Sequence, residues 1–568
     1  MKRLLIIILM FACFSITFSQ QWINNFNHTI GGVKAGEDKA YAITVDDEGF
    51  IYLAGFITSF DTKYDFATVK IDPNGNILWA RLYNGNGNLN DKAYAITVDD
   101  LDNVIVTGFA TEINSNINII TIKYSPNGDS LWTRFYDGQA HGEDKAYAIS
   151  TDESDNIYVA GSSESSANGL DYIIIKYNSS GNTLWTRTYN GTGNNLDVAT
   201  AMAVDKDDNP VVTGYSRNGT TESTEDIVTI KLNKTNGNFI WINRFNGDAD
   251  CPNQQDKAYA ITVDRFNYIY ATGFSVQNSN HGKDIVTICY NPNGDRKWAR
   301  TWNNSDHGNG DDIAYSVAAT NNNNVIVCGS TIRYGHEDFI TLDYHTNNGN
   351  LKWEERYGTQ NGIDIAYSLA VSNSNKEVFV TGACQHDTAS NIFDIVTIKY
   401  KIANGDQLDL ARFNNNGTDK TIPTGVVVDG SDNIIIAGYR VPFMDDSRPS
   451  TILENSSIIA LKYSMGALSH QNHFNLTEPK VNRMNLFQNF PNPFNPSTLI
   501  KFYLPASAPV KLTVYDMLGK EVGTLVNGYL NAGEHSAVFN GEKLSSGIYL
   551  YVLNVNGVKD IKRMILIK

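Results

Sequence analysis

The sequence predicts an all-β chain: an eight-bladed β-propeller of four-stranded blades, closed by its N-terminal strand and followed by a small C-terminal β-sandwich. Three observations predict it. A nine-residue segment recurs through most of the chain, each recurrence is followed by three further strand-like runs, and each end of the repeated region supplies what the other lacks.

The recurring segment is Asp38-Lys-Ala-Tyr-Ala-Ile-Thr-Val-Asp46. It returns almost unchanged from Asp91, Asp144 and Asp256 and more loosely from Asp197, Asp312 and Asp364, and a degenerate copy ends at Asp429, at spacings of 52 to 59 residues. A fixed period of this size marks a stacked supersecondary unit. Each copy continues through runs such as Phe50-Ile-Tyr-Leu-Ala-Gly-Phe56, Asp65-Phe-Ala-Thr-Val-Lys-Ile71 and Ile77-Leu-Trp-Ala-Arg-Leu-Tyr83. Short runs with period-two alternation, rich in β-branched and aromatic residues, are strands. Asp46-Asp-Glu-Gly49 and Asp72-Pro-Asn-Gly75 have hairpin length and chemistry, so each repeat is two hairpins in series. A four-stranded sheet has two faces to cover, and radial stacking of similar sheets covers both.

Side-chain size orders the strands. On strict alternation Ala40, Ala42 and Thr44 share one face of the first strand and Tyr41, Ile43 and Val45 the other, and the small face belongs where blades converge. The fourth strand carries Trp79, matched by Trp22, Trp132, Trp185, Trp241, Trp298 and Trp353, with Asp409 the exception; an aromatic always follows four residues on. Large residues belong where blades splay apart, so this strand is outermost. Trp22 lies on a fourth-type strand with no repeat before it, and the last repeat has three strands and no fourth. The N-terminal strand is therefore expected to complete the last blade. The Asp-Lys-Ala-Tyr-Ala, Thr-Gly-Phe and Asp-Ile-Val-Thr-Ile-Lys-Tyr segments over residues 20–465 resemble the SBBP-type β-propeller repeat family. That family's name implies seven blades, which makes seven the alternative count.

Residues 1–19 combine Lys2 and Arg3 with an apolar run over 4–18 and small residues before Gln20, the pattern of a secretory signal peptide cut after Ser19. A lipid anchor on Cys13 is the rival reading. The run is too short to span a bilayer, and no transmembrane segment is expected elsewhere. Losing Lys2 and Arg3 takes the formal charge from −16 to −18, spread along the chain, which argues against nucleic acid as a partner. Cys251, Cys289, Cys328 and Cys384 remain, in a spacing that fits neither a metal motif nor a dense disulfide framework.

After Tyr463 the repeat stops, and residues 466–485 read as a linker. Residues 486–568 form a second domain: six of the fourteen prolines fall between Pro479 and Pro509, and strand-like runs cover 499–504, 510–515, 537–539, 548–555 and 561–567. Asn489-Phe-Pro-Asn-Pro-Phe-Asn-Pro-Ser-Thr498, Val514-Tyr-Asp-Met-Leu-Gly-Lys520, Ser546-Gly-Ile-Tyr549 and Lys562-Arg-Met-Ile-Leu-Ile-Lys568 together resemble the type A C-terminal sorting domain of the type IX secretion system. The resemblance implies that Pro491, Asn492, Pro493, Gly519, Gly547, Tyr549, Lys562 and Arg563 carry the sorting signal. It also implies the type IX secretion machinery as a partner, and secretion or display on the outer cell surface after signal-peptide removal.

Chemistry is sparse. The chain has no Gly-x-Ser-x-Gly elbow and no phosphate-binding glycine loop, and in the nearest approach to a zinc motif, His336-Glu337, Ile340 stands where the second histidine would be. Two rings of acids recur: Asp38, Asp91, Asp144, Asp197, Asp256, Asp312 and Asp364 open the first strand, and Asp65, Asp171, Asp226, Asp284, Asp338 and Asp394 the third. Repetition favours a structural role, accepting backbone N–H groups or pairing with Lys39- or Lys70-type neighbours. The Trp79, Arg81, Tyr83 stripe is read as packing between blades rather than a sugar platform. Gly75-x-x-x-Trp79 resembles a fragment of the tryptophan-docking motif of eight-bladed quinoprotein dehydrogenases, whose adjacent cysteine pair is absent. No catalytic residue, cofactor or metal is assigned. The expectation is a non-catalytic binder of an unknown extracellular polymer or protein, with the loops 57–64, 84–90, 246–255 and 439–456 on the binding face. A propeller hydrolase or lyase acting on extracellular polysaccharide is the alternative.

Overall fold

A computed structural model describes residues 19–566 apart from 27–28, 31–32, 35–36, 59–62, 166–168, 193–194, 218–224, 248–254, 277–281, 305–309, 360–361, 386–391, 414–418, 443–455, 465–484, 487–488, 490–493, 505–506, 518, 532 and 557. Residues 1–18, most of loops 246–255 and 439–456, half of loop 57–64, and Pro491, Asn492 and Pro493 thus lie outside the described residues. The chain divides into two compact units, Met1–Ser469 and His470–Lys568.

In the first unit the strands Lys39–Val45, Ile51–Thr58, Tyr64–Ile71 and Ile77–Tyr83 pair antiparallel in chain order, and five further four-stranded sheets repeat this arrangement over residues 92–136, 144–189, 197–245, 256–302 and 313–357. A two-stranded ribbon pairs Thr29–Ile30 with Val33–Lys34, and a further sheet has eight strands. Its halves, 364–413 and 419–464 with 19–26, are joined by one parallel pair, Phe393 with Lys420. In the second half the outer place is taken by Ser19–Phe26, paired antiparallel with Ser457–Ser464 from Ser19 opposite Ser464 to Phe26 opposite Ile458. The register of this strand is that of the repeats: Trp22 faces Lys462 just past an irregularity, as Trp79 faces Lys70.

First strands pack on first strands, Lys39–Val45 on Lys92–Val98 and so on to Asp419–Val428, which packs back on Lys39–Val45. The first and last sheets share one apolar cluster with Ile51, Leu53, Ile435, Ala437 and Ile458. This radial stacking is a β-propeller. Second and third strands are buried along almost their whole length, on both faces. Their sequence accordingly reads as a continuous apolar run more than as alternation.

One feature departs from strict alternation. Every first strand carries a β-bulge, between Ala40 and Ala42, Ala93 and Ala95, Ala146 and Ala148, and at the equivalent positions onward to Pro423 and Gly425. The bulged residue is Tyr41, Tyr94 or Tyr147, so these tyrosines do not share a plain strand face with Ile43 and Val45 as expected. A bulge re-aims one side chain and bends the strand. It also explains the glycine of each second strand: a Cβ on Gly55, Gly108 or Gly161 would lie 1.9 Å from the carbonyl oxygen of Lys39, Lys92 or Lys145. No side chain fits there.

In the second unit Asn485–Leu486, Ser497–Leu504 and Gly533–Asn540 form one sheet, and Glu521–Leu530, Ala508–Asp516, Gly547–Val555 and Val558–Leu566 another. Both contribute to a single core including Phe502, Leu512, Tyr551 and Met564. The strand Glu521–Leu530 is additional to those expected. It contains Gly523 and Gly528 and is largely exposed, so neither composition nor apolar content marks it.

Candidate binding surface on the inner strands

The first acid ring is a set of clamps. Asp91 accepts the N–H of Gly85 (2.6 Å) and of Thr111 (2.7 Å), tying the incoming loop to the end of the second strand. Asp144 does the same with Gly138 (2.6 Å) and Glu164 (3.2 Å), and Asp197, Asp256 and Asp312 accept from Gly191, Gly247 and Asn304. All are fully buried. Burial lifts Asp91 and Asp256 to about 6 despite these bonds. In the second ring, Asp226 and Asp394 are paired with Arg244 (2.7 Å) and Arg412 (2.6 Å), while Asp171 and Asp338 are lifted to about 6 by burial and by Asp197 and Asp364 of the following repeat. Among the described residues no group of three His, Cys, Asp or Glu is placed to hold a metal ion.

The Trp stripe works at the opposite end of the blades. Trp132 Nε1 donates to the carbonyl of Ser179 (3.1 Å) and Arg134 Nε to that of Gly181 (2.5 Å), both in the next sheet's third turn. Lys123 reaches the same Ser179 carbonyl (3.2 Å) while bridging to Asp99 (2.6 Å), with both charges buried. Gly181 lies on the indole so closely that a Cβ would come within 2.7 Å of it. Trp79, Trp185, Trp241, Trp298 and Trp353 donate in the same way to Pro126, Lys234, Pro292, Thr346 and Ile402. Asp409 now has a reason. The sheet half after it takes its outer strand from the N-terminus, so no hairpin turn joins its third and fourth strands as in the sheets where the tryptophans dock. A cavity of about 440 Å³ opens at this end between the first two sheets, lined by Asp46, Glu48, Phe50, Lys70 and Asp102 among others.

At the loop end, the bulged tyrosines meet. Tyr41 and Tyr94 have ring centroids 5.3 Å apart and Tyr94 and Tyr147 5.6 Å; Tyr259, Tyr315 and Tyr367 follow at 6.0 and 5.9 Å. Two repeats carry Thr200 and Thr424 at the bulge instead. In those two, and in no other repeat, the residue after the second-strand glycine is tyrosine, Tyr215 and Tyr439. Tyr215 neighbours Tyr147 and Tyr259, and Tyr439 neighbours Tyr41 and Tyr367. The exchange keeps a circuit of eight phenols unbroken. Burial, with smaller contributions from neighbouring acids and phenols, pushes Tyr41, Tyr215 and Tyr259 up to about 12, so at neutral pH they are hydrogen-bond donors and not bases.

Lysines flank the circuit. Lys39, Lys92, Lys145, Lys257 and Lys420 each lie over an aromatic ring of the preceding repeat, at 5.0 Å from Tyr439, 4.5 Å from Phe56, 5.3 Å from Phe109, 4.2 Å from Tyr215 and 4.8 Å from Phe393. Glu37, Glu143 and Glu225 pair with Lys39 (3.0 Å), Lys145 (2.6 Å) and Lys257 (2.8 Å). Lys92 and Lys420 have no carboxylate partner among the described residues. The other three repeats carry Val198, Ile313 and Ile365 at this position. The sequence expectation placed binding in the loops and passed over Lys39 and Tyr41; the paired exchanges at Thr200/Tyr215 and Thr424/Tyr439 are the signal that points to them.

Of the residues expected to carry the sorting signal, Tyr549 is buried and its hydroxyl donates to the Ser545 carbonyl (2.8 Å). Gly519 has φ +80°, which closes the turn after Ala508–Asp516, and Lys562 and Arg563 lie on Val558–Leu566, with Arg563 exposed.

A solved structure of PorZ, a surface component of the type IX secretion system of Porphyromonas gingivalis, is 12% identical over 93% of this chain and 74% of its own, at a TM-score of 0.32. Sqt1 of Chaetomium thermophilum is 12% identical over 79% of this chain and 99% of its own, at 0.47. An uncharacterized WD repeat-containing protein, L264, of Acanthamoeba polyphaga mimivirus is 26% identical over 190 residues, which is 28% of this chain and only 13% of that protein. Residues 488–568 match the family described as the secretion system C-terminal sorting domain. The chain therefore ends in a type IX sorting domain that directs it to secretion or the cell surface, behind an all-β propeller unit.

Proposed function

We propose that the chain is an exported, non-catalytic binding protein. In this reading residues 1–19 are a cleaved signal peptide and 20–465 an eight-bladed propeller of SBBP-type repeats closed by what remains of the N-terminal strand, residues 20–26. Residues 466–485 are a linker, and the sorting unit is a β-sandwich removed or anchored outside the cell. Eight first strands, the repeat-like register of Trp22 opposite Lys462, and the loss of tryptophan only at Asp409 support the count and the closure.

The partner is an extracellular polymer or protein, engaged by the phenol circuit and the loops around it. One observation carries this: the circuit is kept complete by compensating exchanges in two repeats. Phenols that stay neutral, and carboxylates committed to backbone N–H groups and arginines, suit binding better than bond cleavage. A hydrolase or lyase acting on polysaccharide is the second reading, favoured by the raised carboxyls of Asp91, Asp171, Asp256, Asp338 and Asp343, all of them buried. The test is to screen the mature secreted protein against a glycan array and a surface-protein extract, with a parallel assay for new reducing ends. Binding without product supports the proposal, and product release refutes it.

A further inference from the structure

The mouth of the inner strands has a charge pattern of its own. Going round the first strands, Lys420, Lys39, Lys92 and Lys145 are consecutive, and apolar Val198, Ile313 and Ile365 occupy three of the other four places. Half of the mouth is thus a cationic crescent on a chain whose formal charge is −16. Within the crescent, Glu37 and Glu143 neutralise Lys39 and Lys145. Asn90 stands where a third glutamate would pair with Lys92, two residues before it.

Lys92 is held half-buried between the rings of Phe56 (4.5 Å) and Tyr64 (4.6 Å), beside Lys39 and Lys145; Glu37 acts on it from a distance, and no carboxylate among the described residues forms an ion pair with it. A cation desolvated in this way is costly unless an anion completes it. The phenols of Tyr41 and Tyr94 beside it are donors and accept no negative charge themselves at neutral pH.

We infer that this crescent binds an oxyanion carried on a sugar polymer, a uronate carboxylate or a sulfate ester, with Lys92 and Lys420 as the cationic contacts and the phenols donating to the same group. This rests on the proposed binding role and names its ligand class. The aromatic and apolar remainder of the mouth suits the C–H faces of pyranose rings.

The probes are oligogalacturonate, dextran sulfate, neutral dextran, oligothymidylate and poly-glutamate, titrated onto the mature protein at low salt and again at about 0.5 M salt, where charge contacts are screened. Binding of oligogalacturonate, dextran sulfate or both, well above neutral dextran and weakened by salt, is the expected result, and the arm that binds identifies the anion. Lys92→Gln and Lys420→Gln should each weaken it roughly ten- to a hundredfold, the range of a charge-assisted hydrogen bond. Tyr94→Phe, which keeps the ring and removes only the donor, should weaken it less, and Lys92→Arg should retain it. Lys297→Gln, on an exposed outer strand, should have no effect. Equal binding by the Lys92 and Lys420 variants with an unchanged melting curve, or tighter binding of dextran, oligothymidylate or poly-glutamate, overturns the inference while leaving a binding protein. Failure to bind any glycan or protein in the wider screen overturns the binding role itself.

Discussion

Replacing Trp22 by alanine tests whether the N-terminal strand locks the ring. In six sheets the equivalent indole is the anchor for the next sheet, and five of those six are between 5% and 9% exposed. Burying a tryptophan removes roughly 150–250 Å² from water, about 4–6 kcal/mol at 25 cal/mol per Å². Alanine retains a small part of that, and the lost indole donor adds about 1 kcal/mol. A cost of roughly 3–5 kcal/mol is also the usual range for a core Trp→Ala change. If Trp22 docks on the turn at Pro73 and Gly75, as Lys462 already does at 3.3 Å from the Pro73 carbonyl, Trp22→Ala should cost as much as Trp132→Ala. Asp409→Trp, which restores the repeat's residue where no hairpin turn follows in the next sheet half, should not raise stability as the docked tryptophans do. The assay is paired thermal and urea denaturation of the three variants as mature proteins. A Trp22→Ala variant that unfolds with the wild-type protein, beside a destabilised Trp132→Ala, would refute closure by this strand.

Gly108→Ala places a methyl 1.9 Å from the Lys92 carbonyl and should cost more than about 4 kcal/mol, seen as loss of soluble secreted protein, whereas Gly528→Ala, with nothing within 4 Å, should be tolerated. Asp91, Asp256, Asp171 and Asp338 have native values near 6 against an ordinary 3.8. Their protonation therefore contributes stability that is full below about 3.8 and lost as pH rises through 6, on the order of 1–3 kcal/mol per carboxyl. Melting temperature should rise from pH 8 to pH 5 and then fall below pH 4 as Asp152 and Asp429, held low by their asparagine and lysine partners, are titrated; an Asp91→Asn variant should flatten the rise. Deleting residues 486–568 should leave the protein in the periplasm by cell fractionation. Mass spectrometry of the exported protein should place its first residue at Gln20.

Repetition made much of the first unit readable. Four runs per repeat, the tryptophan register and the unmatched ends all follow from spacing, because each repeat solves the same packing problem. The bulge at Tyr41 does not follow. A run such as Lys-Ala-Tyr-Ala-Ile-Thr-Val alternates well enough on paper, and the extra residue is visible only where Ala40 faces Gly55 and Ala42 faces Ala54. Its trace in the sequence is the glycine of the second strand, which reads as a strand weakener until the carbonyl it accommodates is known. The phenol circuit stayed hidden for a related reason: Tyr215 and Tyr439 sit on a different strand from the tyrosines they replace, so repeat-by-repeat comparison scores two losses and two unrelated gains. Asp409 was an unexplained exception until the missing turn beside it was seen.

The pairing of Gln20 with Tyr463 has a kinetic consequence. On the proposed export route the strand that finishes the ring is among the first to cross the inner membrane, and its partner is nearly the last of the propeller to follow. Closing a loop of several hundred residues costs about 5 kcal/mol of chain entropy by the logarithmic rule, and contacts of such high sequence separation form late. Until then, the early strand and the edge of Ser457–Ser464 are both unpaired, and unpaired edges invite association with other chains. The sorting unit emerges only after Ser464. On the proposed export route, every residue needed to shut the ring has crossed before the sorting unit can be read, so the order of the chain lets the propeller close before its recognition at the outer membrane.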